Sequence, residues 1–456
     1  MKSNLTRKIL ICFLCFISLQ LFAQSPVAPN TADWKLRASV VQDSYGNASL
    51  QNSLVSGTDF TEKTTLNPNS ERSISVRIGD IANGGMFIFT PENNIGGLQV
   101  ATFQSTDGSN WTSLNANVYL NGRSDDLQQA AIPASTANRW FRITFTNTSG
   151  SPVTLKDLEM YRFSGGRDQY FLILGASLTE STGGHADWRQ TVRNRLNNAY
   201  QPVLFNWSLG GYNSSLILEN LDAFLAAHPR AAYVLIETGG TDVTNTRPLS
   251  FADSQGSTLA GLNTQIRQII QKIIDAGKVP VFSRISYRNY YAVTNWQGRF
   301  QPAVNGGLNQ ENGSIAYNFM VDKIIQELCP MFWDSNERRG FVDMYQLTLN
   351  NQQWLVAGDG VHFYGGYAYH MRDFWTDFGI KYLYTGQRTT AVPYTEYVSN
   401  LTEKATAAVV KAENSRSSQD IFDARILVEQ IANTNMRIAL LNRLDGNSTP
   451  PPSNFF

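Results

Sequence analysis

Cysteine is nearly missing from this chain: three in 456 residues, two of them, Cys12 and Cys15, among the first 24. Past that stretch Cys329 stands alone, which excludes an internal disulfide and a cysteine-rich zinc site. Net charge is missing too. The 37 Lys and Arg match the 37 Asp and Glu, so no overall basic field points to nucleic acid or an anionic membrane surface, and no nucleic-acid partner is expected. Histidine is confined to His185, His228, His362 and His370. Any chemistry that needs an imidazole must find it at one of these four. No internal repeat is evident.

What is present divides the chain. Residues 1–24 read as a signal peptide: Lys2, Arg7 and Lys8 form a basic start, residues 9–22 are mostly apolar, and Ala23 offers a small residue for cleavage. Neither early cysteine sits in a lipoprotein pattern. The apolar run is short for a membrane span, so export to the periplasm, the cell surface or the medium is expected, with no stable membrane insertion after cleavage. A cysteine-poor exported chain fits a bacterial setting.

Residues 25–165 carry short β-like runs such as Ser73-Ile-Ser-Val-Arg77, Gly85-Met-Phe-Ile-Phe-Thr90 and Trp140-Phe-Arg-Ile-Thr-Phe145. Turn residues separate them and helical periodicity is lacking, which predicts an all-β sandwich of jelly-roll type. After Ser164-Gly-Gly-Arg-Asp168, strand-like and helix-like segments alternate through residue 390, the pattern of a parallel sheet covered on both faces. Leu262, Ile266, Ile269, Ile270 and Ile273 mark one helical face. Phe341-Val-Asp-Met-Tyr345 reads as a late strand. Residues 400–446 form a small α-helical module, in which Asp420, Asp423, Arg425 and Glu429 read as a solvated face. Residues 447–456 are a Pro/Ser-rich linker tail.

The apolar run Tyr170-Phe-Leu-Ile-Leu174 ends at Gly175, and Ser177 follows. Open α/β sheets bind ligands past the C-terminal ends of their strands, so Ser177 suits a nucleophile; read alone, it equally suits the cap of the next helix. Three more stretches bear on the choice: Asn206-Trp-Ser-Leu-Gly-Gly-Tyr-Asn-Ser214 after the second strand, Glu237-Thr-Gly-Gly-Thr-Asp242 after the third, and Gly358-Asp-Gly-Val-His-Phe363 near the end of the α/β region. In this order the four resemble the SGNH (GDSL-like) hydrolase family over residues 170–386. The resemblance implies a flavodoxin-like three-layer α/β domain and an ester hydrolase that uses no metal or other cofactor. It also implies oxyanion donors at the backbone N–H of Ser177, the backbone N–H of Gly211 and the side chain of Thr241.

The chemistry explains these residue types. A serine hydroxyl needs a base to take its proton during attack on an ester, and the base needs an acceptor that holds its tautomer. His362 and Asp359 are spaced to form that pair in one turn. A side chain at position 211 would crowd the substrate carbonyl. Of the other histidines, His228 reads as a surface or helix-capping residue and His370 as packed or exposed on a helix. His185 either lines the pocket or is a loop histidine without a role.

One position departs from the family. Thr241 stands where the pattern has asparagine, and its shorter side chain reaches less far. Loss of one oxyanion donor costs about 10²–10³ in rate, so Thr241 serves, Asn245 or Asn213 replaces it, or activity is reduced. Ala176, where the family name carries Asp, is not the nucleophile.

Tyr287, Tyr290, Tyr291 and Trp296 lie in a stretch rich in aromatic and amide residues after a strand end. They form either a platform for a sugar ring or a self-packed loop. Ser105-Thr-Asp-Gly-Ser-Asn-Trp111 and the closing Arg139-Trp-Phe-Arg-Ile143 with Leu158-Glu-Met-Tyr161 resemble discoidin-type carbohydrate-binding sandwiches. Together these features suggest a secreted serine esterase that deacetylates a polysaccharide through an acyl-enzyme. The alternatives are a lipid, aryl or polyester esterase with the same residues, a glycan O-acetyltransferase, and a glycan-binding surface protein with a degenerate esterase domain.

Overall fold

The computed structural model describes residues 34–114, 118–137, 139–163, 170–180, 182, 184–196, 202–243, 259–286, 310–351, 354, 362–363, 369–389, 401–428, 431 and 433–447. The expected signal segment, the Ser164–Asp168 join and the tail from residue 448 lie outside these.

The N-terminal unit is two five-stranded antiparallel sheets, with orders β1-β3-β9-β5-β6 and β2-β10-β4-β8-β7. The strands are β1 (Val40–Asp43), β2 (Thr64–Leu66), β3 (Glu71–Ile78), β4 (Gly85–Pro91), β5 (Leu98–Ser105), β6 (Thr112–Ser113), β7 (Val118–Tyr119), β8 (Gln128–Ile132), β9 (Arg139–Asn147) and β10 (Val153–Arg162). Alternation decides the packing. Ile74, Val76, Phe141 and Phe145 of one sheet meet Phe87, Phe89 and Leu155 of the other in one apolar cluster, which the helix α1 (Ala48–Ser56) closes with Leu50 and Leu54. Trp111 lies beneath Arg142, whose guanidinium stands 3.9 Å from its ring centroid.

The second unit is a parallel sheet of β11 (Tyr170–Leu174), β12 (Val203–Asn206), β13 (Tyr233–Ile236) and β14 (Val279–Phe282), in the order β12-β11-β13-β14. Every residue of β11, β13 and β14 is buried, as strands covered on both faces must be. The covering helices fall into two groups. In one, α4 (Ser214–Ala227) packs on α5 (Leu259–Asp275), and α5 on α6 (Gln310–Leu328). In the other, α3 (His185–Arg195) packs against the helix that begins as α8 (Tyr369–Phe374), continues as a π-helical stretch, Trp375–Ile380, and ends as α9 (Lys381–Thr385).

The late strand expected over residues 341–345 is not formed. Arg284 and Asp343 make one isolated parallel bridge, and the chain then enters helix α7 (Met344–Asn350). Asp343 is the cause: its carboxylate accepts from the Gln346 N–H at 3.0 Å, capping that helix. Three further helices, α10 (Leu401–Ser415), α11 (Ser418–Val428) and α12 (Thr434–Asn447), enclose a small core that includes Ala405, Val409, Val428 and Leu440. Arg425 is not on a bare solvated face, since it pairs with Asp445. The only cysteine among the described residues, Cys329, is buried, which pushes its thiol pKa up.

The two-sheet unit and the parallel-sheet unit share a core. Trp34, Met86, Ile88, Leu127 and Tyr161 join the same apolar cluster as the parallel strands. Beside them runs a set of buried and half-buried charges. Glu159 pairs with Arg189 at 2.6 Å and with Lys35 at 3.0 Å, and Asp59 pairs with Lys35 and Arg193. Burial alone would raise the Asp59 pKa, but the Arg193 hydrogen bond and the Arg189 and Lys35 charges hold it well below the usual carboxylate range. A bulge near Asp157, where φ is +56°, shifts the β10 register ahead of Glu159.

Candidate functional site

Three loops leave the parallel strands at one end. Ser177 opens the short helix α2 (Ser177–Glu180), one turn past β11. The second loop crosses beside it: Trp207 N–H donates to Ile173 C=O at 2.9 Å and Leu209 N–H to Gly175 C=O at 3.2 Å. A Cβ built on Gly210 would stand 3.9 Å from the Ser177 Cβ, so the backbone that leads to Gly211 passes the serine directly. Gly211 itself has φ +82°, and a Cβ there would meet no atom of the described residues within 4 Å. The positive φ alone favours glycine.

The third loop is held from behind. Glu237, buried after β13, accepts from Thr179 Oγ1 at 3.1 Å, tying this loop to the serine helix. Gly239 has φ +95°, and a Cβ on it would stand 2.0 Å from the Tyr317 ring. Asp242, also buried, accepts from the Ser214 N–H at 3.0 Å and hydroxyl at 2.9 Å. Thr241 lies between these anchors and is partly exposed. Asn213 caps α4, its Oδ1 accepting from Leu216 N–H at 2.9 Å.

Against the serine comes His362. Ser177 Oγ and His362 Nε2 are 2.7 Å apart, although 185 residues separate them. The hydroxyl can donate to an unprotonated ring nitrogen over this distance, the contact a serine needs before it can attack a carbonyl. Asp359, Asn245, Tyr287, Tyr290, Tyr291 and Trp296 lie outside the described residues. Among the described residues no cluster of three or more His, Cys, Asp or Glu could hold a metal ion. Nor is any helix there long and apolar enough to cross a membrane.

The other histidines are elsewhere. His185 is not in a loop; it is the first residue of α3 and is buried. Neither of its ring nitrogens has a hydrogen-bond partner among the described residues. Burial and then the charges of Arg189 and Lys35 push its pKa well below the ordinary value, so it stays neutral. His228 does end α4, but it is buried, not on the surface. Phe205, Phe224 and Tyr119 surround its ring, and Lys278 donates to its carbonyl at 2.6 Å. His370 stacks on Trp354 with centroids 3.8 Å apart.

Sequence reasoning missed Glu180 and Arg123. Glu180 accepts from Gly210 N–H at 2.8 Å. Arg123, from the two-sheet unit, donates to Ser208 C=O at 2.7 Å. Nothing in the sequence around Arg123 marks it, because its two partners beside the serine lie 57 and 85 residues away.

No family model matches the chain, and no curated protein does. Solved structures do match. The psychrotrophic esterase EstA from Pseudoalteromonas sp. is 20% identical, with 47% of this chain and 97% of that one covered at a TM-score of 0.33. Axe2, an acetylxylan esterase from Geobacillus stearothermophilus, is 15% identical, with 46% and 93% covered at 0.34. The acetyl xylan esterase AlAXEase is 12% identical, with 45% and 96% covered at 0.33. Each of these three solved structures is described as an esterase.

Proposed function

We propose that the chain is an exported serine esterase of SGNH type that removes acetyl groups from a polysaccharide. The observation that carries this reading is the 2.7 Å approach of Ser177 Oγ to His362 Nε2 at the strand ends of a parallel sheet. In the proposed reaction His362 accepts the Ser177 proton as Oγ attacks the acetyl carbonyl, and Asp359 holds the imidazole tautomer and stabilises the imidazolium. The tetrahedral oxyanion is bound by the N–H groups of Ser177 and Gly211 and by Thr241. His362 then returns the proton to the departing sugar hydroxyl, leaving acetyl-Ser177. Water, deprotonated by the same imidazole, releases acetate and restores the serine.

The polysaccharide part of the proposal draws on the export signal, on the N-terminal domain read as a sandwich over residues 25–165, and on the aromatic stretch with Tyr287, Tyr290, Tyr291 and Trp296. The test is acetate release from a panel of acetylated polysaccharides by the full chain, with Ser177→Ala as control. Ser177→Ala is expected to abolish release while leaving thermal unfolding unchanged. A wild type that cleaves neither these substrates nor p-nitrophenyl acetate ends the esterase reading. A preference for long acyl chains would replace the polysaccharide with a lipid or polyester substrate.

A further inference from the structure

Arg123 sits in the turn between β7 and β8, in the N-terminal unit, yet its guanidinium reaches both loops at the serine. Nη1 donates to Ser208 C=O at 2.7 Å, Nη2 lies 3.4 Å from Glu180 Oε1, and Nε lies 3.1 Å from Asp126. The other Glu180 oxygen accepts from Gly210 N–H at 2.8 Å. Arg123 therefore bridges the last residue of the helix that begins with Ser177 and the loop that ends at Gly211.

That loop needs an outside brace. Two consecutive glycines, both exposed, form its turn, and glycine gives the backbone freedom that catalysis must then remove. The internal bond at the turn is Tyr212 N–H to Leu209 C=O at 3.0 Å. The same edge of the N-terminal unit supports the loop at one more point, where Tyr119 stacks on Trp207 with centroids 5.3 Å apart. It also holds the far end of α4, where Gln129 Nε2 donates to Ala227 C=O at 2.7 Å. The Arg123 and Glu180 side chains are 28% and 37% exposed, so their ion pair adds little to overall stability. What a planar guanidinium adds is direction: it fixes two acceptors relative to each other.

We propose that Arg123 is a positioning residue that clamps the Gly211 loop against the Ser177 helix, so that the N-terminal unit completes the oxyanion site of the neighbouring unit. This rests on the esterase reading above. The clamp acts on the transition state more than on substrate binding, because the Gly211 N–H matters most once the carbonyl oxygen carries charge.

The test uses full-length protein and p-nitrophenyl acetate. Arg123→Ala is expected to lower kcat about 10- to 100-fold with KM changed less than about threefold. Arg123→Lys recovers part of the loss, and added guanidinium partly restores Arg123→Ala but not Ser177→Ala. Glu180→Gln keeps an acceptor for Gly210 while removing the charge that Arg123 meets. It should lower kcat in the same direction, and the double variant with Arg123→Ala should be no worse than Arg123→Ala alone.

Should Arg123→Ala fail to fold, Arg123→Lys and Glu180→Gln carry the test, and both are expected to lower kcat. An unchanged kcat in Arg123→Ala, or in both conservative variants, overturns the clamp. So does a loss that appears only in KM, or one that guanidinium leaves untouched. If these results come with an active wild type, the esterase reading survives; an inactive wild type removes both.

Discussion

Gly239 offers the sharpest stability test at the site. Its backbone has φ +95°, and a methyl group there would stand 2.0 Å from Tyr317 Cζ and 2.4 Å from Cε1 and the hydroxyl. Tyr317 has no room to retreat, being fully buried, and its hydroxyl lacks a hydrogen-bond partner among the described residues. Gly239→Ala therefore combines backbone strain of about 1–3 kcal/mol with overpacking of about 1–3 kcal/mol. Set against a typical domain stability of about 5–15 kcal/mol, that is a large fraction. Tyr317→Leu alone removes part of a well-packed ring and costs stability by leaving a cavity.

In the double variant the clash disappears while the strain stays. Gly239→Ala with Tyr317→Leu should thus be more stable than the sum of the single effects by about 1–3 kcal/mol. Urea unfolding of the full chain, followed by tryptophan fluorescence, measures this, with the transition of the parallel-sheet unit fitted separately if the curve has steps. Additivity within about 0.5 kcal/mol would refute the steric account. So would a Gly239→Ala protein as stable as wild type.

Two further outcomes are expected. Thr241→Asn lengthens the donor in the third loop and should raise kcat on p-nitrophenyl acetate; a fall shows that threonine already fits the oxyanion. Burial, with a smaller contribution from Lys278, lowers the His228 pKa from 6.5 to about 3. The unfolded chain then takes up a proton below pH 6.5 that the folded chain refuses, so this part of the stability is intact above pH 6.5 and is lost as pH falls toward 3. Between pH 7 and pH 5 the loss amounts to about 2 kcal/mol. In His228→Leu, urea unfolding at the two pH values should differ by that much less than in wild type.

The strand ends were legible because buried parallel strands are short, apolar and closed by glycine, as at Leu174–Gly175 and Ile236 to Gly239. The serine and histidine followed from motif order. Residues 341–345 misled because an apolar, aromatic run suits a strand and a helix start equally, and the cap formed by Asp343 decided between them. The burial of His185 and His228 was not legible for another reason. What buries them comes partly from the N-terminal unit, through Lys35 and Asp59 near one and Tyr119 against the other. Arg123 was invisible on the same ground. Local sequence encodes the element a residue sits in, while its partners across an interface leave no trace beside it.

The apolar cluster that Trp34, Met86, Ile88, Leu127 and Tyr161 share with the parallel strands has a practical consequence. The parallel-sheet half cannot be handled as an interchangeable cassette. Cutting the chain at the join would bare a greasy face on both fragments and strand Arg189 and Arg193 without the carboxylates of Glu159 and Asp59. A shortened version made to probe sugar binding would therefore report on misfolding before it reported on recognition. Transplanting the parallel-sheet unit onto another scaffold would require importing a substitute for that whole face.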